Sequence, residues 1–146
     1  MTQKYALFFD IDGTLVSFQT HGIPASTILA LTRAKANGSR VYIATGRPPL
    51  ILTNLGAIEH LIDGYITTNG ADKGKGILAM ARHEGFDPSR TMAFGDGGND
   101  TSMILQAGIG IAMGNAIDAL KHQADYVTTS VDDDGILNAL RHFNVI

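Results

Sequence analysis

Asp10 and Asp12 stand two residues apart in Asp10-Ile11-Asp12-Gly13-Thr14, directly after an apolar run. Carboxylates at that spacing can face one pocket, and Gly13 permits a tight turn between strand and loop. A second acidic stretch, Gly95-Asp96-Gly97-Gly98-Asn99-Asp100, also follows an apolar run. Its glycines let the backbone approach a ligand, and its acids can hold a hard cation that takes oxygen ligands. Each also has a plain reading: a polar strand-to-loop turn, the lesser reading, for the first, and a glycine-rich loop with a helix cap for the second, which is weak alone. Together they make a cation site the better reading. Thr45-Gly46-Arg47 and Lys75-Gly76 add a hydroxyl, a guanidinium and an ammonium. Such groups orient a phosphoryl group and offset its charge. Read singly, Thr45 is a strand-end hydroxyl, Lys75 a solvated lysine at a helix start, and Arg47 a surface residue.

The elements that must position these residues can be read from apolar runs and breakers. Strands are expected at 5–9, 41–44, 65–67, 91–94, 109–113 and 126–128. Helices are expected at 24–37, from Pro48 or Pro49 to Leu55, and at 77–83, 100–107, 116–123 and 135–143. Strands alternating with helices predict an α/β fold: a Rossmann-like, doubly wound three-layer sandwich with a mostly parallel central sheet, as one domain over 1–146. Ligands of such sheets bind beyond the carboxyl ends of the strands. Asp10, Asp12 and Thr14 lie at the first of these ends, Thr45 at the second, Asn69 at the third, and Asp96, Asn99 and Asp100 at the fourth.

Composition excludes several alternatives. The 146 residues are 45% hydrophobic and 17% charged, so a packed core is expected. With a net charge of −3 and scattered basic residues, no nucleic-acid footprint is visible. No cysteine is present, which excludes disulfides and thiolate chemistry and fits a reducing cytoplasm. No apolar run approaches the roughly 18 residues that span a bilayer, and the first one stops at Asp10, too early for a signal peptide. The five histidines, His21, His60, His83, His122 and His142, show no ligand spacing. Leu29, Leu31, Leu120, Leu137 and Leu140 read as core, and Asp132-Asp133-Asp134 as a solvated, helix-capping turn.

The motifs together resemble the haloacid dehalogenase superfamily, in particular its Cof-type sugar-phosphate phosphatases. The resemblance runs from Ala6-Leu7-Phe8-Phe9-Asp10-Ile11-Asp12-Gly13-Thr14-Leu15 to Asp134-Gly135-Ile136. Between these lie Ile43-Ala44-Thr45-Gly46-Arg47, Thr68-Asn69-Gly70-Ala71, Phe94-Gly95-Asp96-Gly97-Gly98-Asn99-Asp100 and Ala112-Met113-Gly114-Asn115-Ala116. It implies hydrolysis of small phosphate monoesters through an aspartyl-phosphate, with Mg2+ as cofactor and small phosphorylated metabolites as partners. Asp10 matches the nucleophile and a metal ligand. Asp12 matches the general acid/base, its carbonyl a further metal ligand, and Asp96 the acidic metal ligand. Thr45 matches the phosphate-binding hydroxyl, and Lys75 the lysine that orients nucleophile and phosphate, with Lys73 a nearby competitor. Gly13, Thr14, Gly46, Arg47, Asn69, Asn99 and Asp100 match positions that bind phosphate or support the site.

One departure stands out. Cof-type members usually insert a large cap domain after the third core strand, whereas here Thr68-Asn69-Gly70-Ala71 runs almost at once into Asp72-Lys73. The insertion is missing at about 71–73, as in an engineered or reconstructed core or a naturally capless chain. An open cleft, broad specificity and self-association through the exposed face are the expected consequences. The competing reading is a core scaffold that binds magnesium and phosphate but turns over little. A mutase would need to shield its aspartyl-phosphate from water.

Overall fold

The computed structural model describes residues 3–46, 55–67 and 72–146. Six parallel strands form one sheet: β1 Ala6–Phe9, β2 Arg40–Thr45, β3 Gly64–Thr67, β4 Thr91–Gly95, β5 Ile109–Ala112 and β6 Tyr126–Val127, in the order β3-β2-β1-β4-β5-β6. The helices are α1 Ala25–Ala36, α2 Lys73–His83, α3 Thr101–Gln106, α4 Asp118–Gln123 and α5 Gly135–His142. This is the expected doubly wound α/β architecture. The order reverses at β1, which pairs with β2 on one side and β4 on the other. Sheets of this kind bind ligands at that reversal.

Alternation along the buried strands splits the core into two layers. Leu7, Phe9, Val41, Ile43, Met92 and Phe94 belong to one cluster, which includes Leu31 of α1 and Leu140 of α5. Ala6, Phe8, Tyr42, Ala44 and Ala93 belong to the other, with Ile77 of α2 and Met103 of α3. Phe9 stacks on Phe94 at 4.5 Å in the first layer, and Phe8 on Tyr42 at 5.0 Å in the second. These pairs tie β1 to both neighbours and hold rigid the strand that carries Asp10.

Several expectations need correction. Helix α2 starts at Lys73, four residues ahead of the expected Ile77, because Asp72 caps it by accepting from the Gly74 and Lys75 amides. Leu29 is 43% exposed, one step round α1 from the buried stripe of Ala30, Leu31 and Ala34. Asp132, Asp133 and Asp134 are solvated as expected, but no side chain caps α5. Among the described residues, short 3-10 turns at Glu59–Leu61, Pro88–Arg90 and Gly98–Asp100 carry no periodic signal of their own. Except for Leu55, the helix expected up to that residue lies outside the described residues, as do Arg47 and Asn69.

Away from the acidic strand ends, Asp63 clamps the start of β2. Its carboxylate accepts from Lys35 Nζ at 2.5 Å and from the Val41 amide at 2.8 Å, with Arg40 at 3.4 Å. Burial opposes its ionisation, but the bonds from Lys35 and Val41 outweigh this and hold its pKa below the ordinary carboxylate range. A depressed folded pKa contributes stability above the unfolded value of 3.8, and that stability is lost as pH falls through the folded value. Asp63→Ala should therefore cost about 2 kcal/mol at pH 7, the scale of a charged hydrogen-bond network. The gap between parent and variant should close in acid. Denaturant unfolding at several pH values checks this; a gap constant down to the acid limit would show that the charge is irrelevant.

Candidate active site

The site is built where β1 and β4 end side by side. Strand β1 stops at Phe9, but the Asp10 amide still donates to the Phe94 carbonyl at 3.1 Å. Asp10 is therefore fixed by the ladder while its carboxylate turns into the cleft. The chain then closes on itself: the amides of Thr14, Leu15 and Val16 all donate to the Ile11 carbonyl, and Gly13 N donates to Val16 O. Gly13 has φ +81°, and a Cβ built there would lie 2.0 Å from Asp96 Oδ2. Only glycine lets the Asp96 carboxylate stand over this loop.

After β4, the loop 96–100 wraps round the side chain of Asp100, which is fully buried. Asp100 Oδ2 accepts from the Asp96 and Gly97 amides at 3.0 and 3.2 Å, and Oδ1 accepts from Lys73 Nζ at 2.7 Å. Gly95 makes room: a Cβ there would stand 2.5 Å from that of Asp100. The same Lys73 ammonium lies 3.0 Å from Asp10 Oδ1 and is 3% exposed. Lys73 thus bridges two acids on neighbouring strand ends, a place the sequence reading gave to Lys75. Lys75 is exposed. At about 100° per residue, two steps turn its side chain to the far side of α2.

Asp10, Asp12, Phe18, Thr45, Gly46, Asp96, Gly97 and Asn99 line one cleft of about 640 Å³. Of the expected site residues within the described chain, only Thr14 and Lys75 stand apart from both this cleft and the Asp10, Asp96, Asp100 and Gly13 cluster. Thr14 is fully buried and its hydroxyl has no hydrogen-bond partner among the described residues. Sequence reasoning passed over Phe18, an apolar residue in a loop with no periodicity to mark it.

Charge is unbalanced here. Oxygens of Asp10, Asp96 and Asp100 lie within 4.8 Å of one another, with one ammonium among them. Burial and the neighbouring Asp100 raise the pKa of Asp10, against the pull of Lys73. Burial, a hydrogen bond to Asp10 and the charges of Asp10 and Asp100 push Asp96 up to about 8. Burial alone would lower the pKa of Lys73, but the two carboxylates raise it. Carboxylates crowded enough to retain a proton, with oxygen as the only donor type, suit a hard divalent cation in place of that proton. Asp10 and Asp96 supply the open oxygens; those of Asp100 already serve Lys73 and the loop amides.

A raised acid pKa contributes stability below the unfolded value of 3.8 and loses it as pH rises through about 8. Asp96→Asn should therefore melt above the parent at pH 8.5 in a chelator, and should lose most of any stabilisation that an added divalent cation gives the parent. Thermal melts with and without metal check both points; a lower melting temperature in chelator would contradict the repulsion argument.

Comparison with known proteins agrees with this geometry. A 5-amino-6-(5-phospho-D-ribitylamino)uracil phosphatase of Bacillus subtilis (strain 168) is 42% identical over 74 residues, 51% of this chain and 30% of its own. A phosphoglycolate phosphatase of Methanopyrus kandleri is 36% identical over 89 residues, 59% of this chain and 38% of its own. The matched part thus spans about a third of the length of these relatives. A solved structure of a phosphoryl-transfer superfamily member, described for its trigonal-bipyramidal intermediate, superposes with a TM-score of 0.94 at 31% identity, covering 99% of this chain and 100% of that one. A HAD subclass IIB sugar phosphatase superposes at 0.92 and 30%, covering 98% and 100%. The family model for haloacid dehalogenase-like hydrolases matches residues 7–71 and 53–140, and to that family this chain belongs.

Proposed function

We propose that the protein is a magnesium-dependent phosphatase that hydrolyses small phosphate monoesters of the sugar-phosphate type through an aspartyl-phosphate on Asp10. The observation that carries this reading is the Asp10 carboxylate, held 3.0 Å from a buried ammonium and facing a cleft shared with Asp12, Thr45 and Asp96. A carboxylate so placed is a positioned nucleophile. Its relatives include phosphatases by name, and only residues 68–72 of the sequence separate β3 from α2, which supports a core without an inserted cap. We therefore expect broad specificity and a high Michaelis constant.

In the first step an Asp10 oxygen attacks phosphorus, the ester P–O bond breaks, and Asp12 gives a proton to the departing alkoxide. In the second, water attacks the same phosphorus, Asp12 takes its proton, and the bond to Asp10 breaks to release phosphate. Lys73 offsets charge between Asp10 and the phosphate dianion, and the Thr45 hydroxyl donates to a phosphoryl oxygen. Asp10, Asp96 and the Asp12 carbonyl would hold Mg2+, which supplies charge neutralisation to the transferring group when bound. Gly46 and Asn99 border the phosphate, Asp100 supports Lys73 and the 96–100 loop, and Arg47 and Asn69 keep the phosphate-binding roles their motifs suggest.

A reducing cytoplasm fits the cysteine-free composition. Among the described residues no helix is long and apolar enough to cross a membrane. Phosphate release from an aryl phosphate, followed with magnesium and with chelator, tests the activity. Release dependent on the metal supports it, and no release above background would favour a binding scaffold.

A further inference from the structure

Phe18 is 61% exposed, while Phe8, Phe9 and Phe94 are fully buried. It lines the cleft that holds Asp10 and Asp12. A built turn puts it there. The Ser17 hydroxyl, in a residue 1% exposed, accepts from the Gln19 and Thr20 amides at 3.0 and 3.2 Å. Ser17 N donates to Gly22 O and His21 N to Ser17 O, both at 2.9 Å. Gly13 supplies the floor: a Cβ there would stand 2.6 Å from Phe18 Cε2, so the ring lies against the loop that follows Asp12. Chemistry then fixes what meets the ring. The leaving oxygen of a phosphate ester must lie beside its proton donor, Asp12, and the carbon attached to that oxygen is the next atom outward.

We propose that Phe18 is the leaving-group contact of this site, favouring phosphate monoesters whose organic part presents a ring face, such as a sugar or an aryl group, over ring-free alkyl esters. The inference rests on the phosphatase reading, since it places the ester oxygen at Asp12. A ring laid on an exposed phenyl face is stabilised by buried apolar area and stacking, enough for a preference of about five- to tenfold.

Binding by the magnesium-loaded Asp10→Asn protein, read by calorimetry, separates this preference from leaving-group reactivity. Phenyl phosphate should bind about five- to tenfold tighter than ethyl phosphate. Adding Phe18→Ala should shrink that gap to under twofold, and adding Phe18→Trp should keep or widen it. A gap that survives Phe18→Ala, a gap absent from the Asp10→Asn parent, or failure of both esters to bind would overturn the proposal. Failure of the phosphatase reading would show separately, as no phosphate release by the unmodified protein whatever the binding data.

Discussion

Asp10→Asn should reduce magnesium-dependent phosphate release by at least about 10³-fold, because a carboxamide cannot form the proposed aspartyl-phosphate. Unfolding would not explain the loss. The substitution removes one charge from a cluster whose crowding already raises the pKa of Asp10 and pushes Asp96 up to about 8. Without metal, the variant should therefore melt at or above the parent temperature at neutral pH. Acid quenching during turnover of a labelled ester gives a direct reading: the parent should carry a protein-bound phosphoryl group and the variant none. Turnover that persists in Asp10→Asn would remove Asp10 from the nucleophile's role. Labelling of the variant would place the covalent step on another side chain.

Much of this site is legible because parallel strands are buried on both faces. Their apolar runs end abruptly, and Asp10, Thr45 and Asp96 appear at those ends without any knowledge of the tertiary fold. Legibility fails where tertiary contacts decide. Gly74 and Gly76 weaken the helical pattern ahead of Ile77, so the pattern starts α2 late and puts Lys75 at its start. Asp72 as the cap was the available signal, and it moves the first helical residue to Lys73. Asp100 reads as one more acid in a glycine-rich loop. Only its burial behind Gly95, with both oxygens engaged, shows it to be a strut for Lys73 and the loop rather than an open ligand. Thr14 sits within the motif yet is packed away, because Ile11 collects the amides of its turn and draws the loop inward.

Lys73→Met should lower turnover by about 10²–10³-fold, while Lys75→Met should stay within about threefold of the parent. In the proposed mechanism Lys73 is the ammonium that lets an ionised Asp10 meet a phosphate dianion, whereas Lys75 is exposed and no salt bridge among the described residues involves it. The single variant also strips the countercharge from fully buried Asp100, a loss of about 3 kcal/mol by analogy with broken buried pairs. Low activity could then reflect a poorly folded protein. Lys73→Met combined with Asp100→Asn separates the two effects. The amide oxygen can still accept from the Asp96 and Gly97 amides, and no fully buried charge is left unpaired at position 100. Melting temperature should recover in the double variant while turnover stays low, since Asp10 still lacks its partner. Recovery of turnover together with stability would make Lys73 a structural countercharge to Asp100 and nothing more. Loss of turnover in Lys75→Met beside a normal Lys73→Met would return the role to the residue that the helix pattern first suggested.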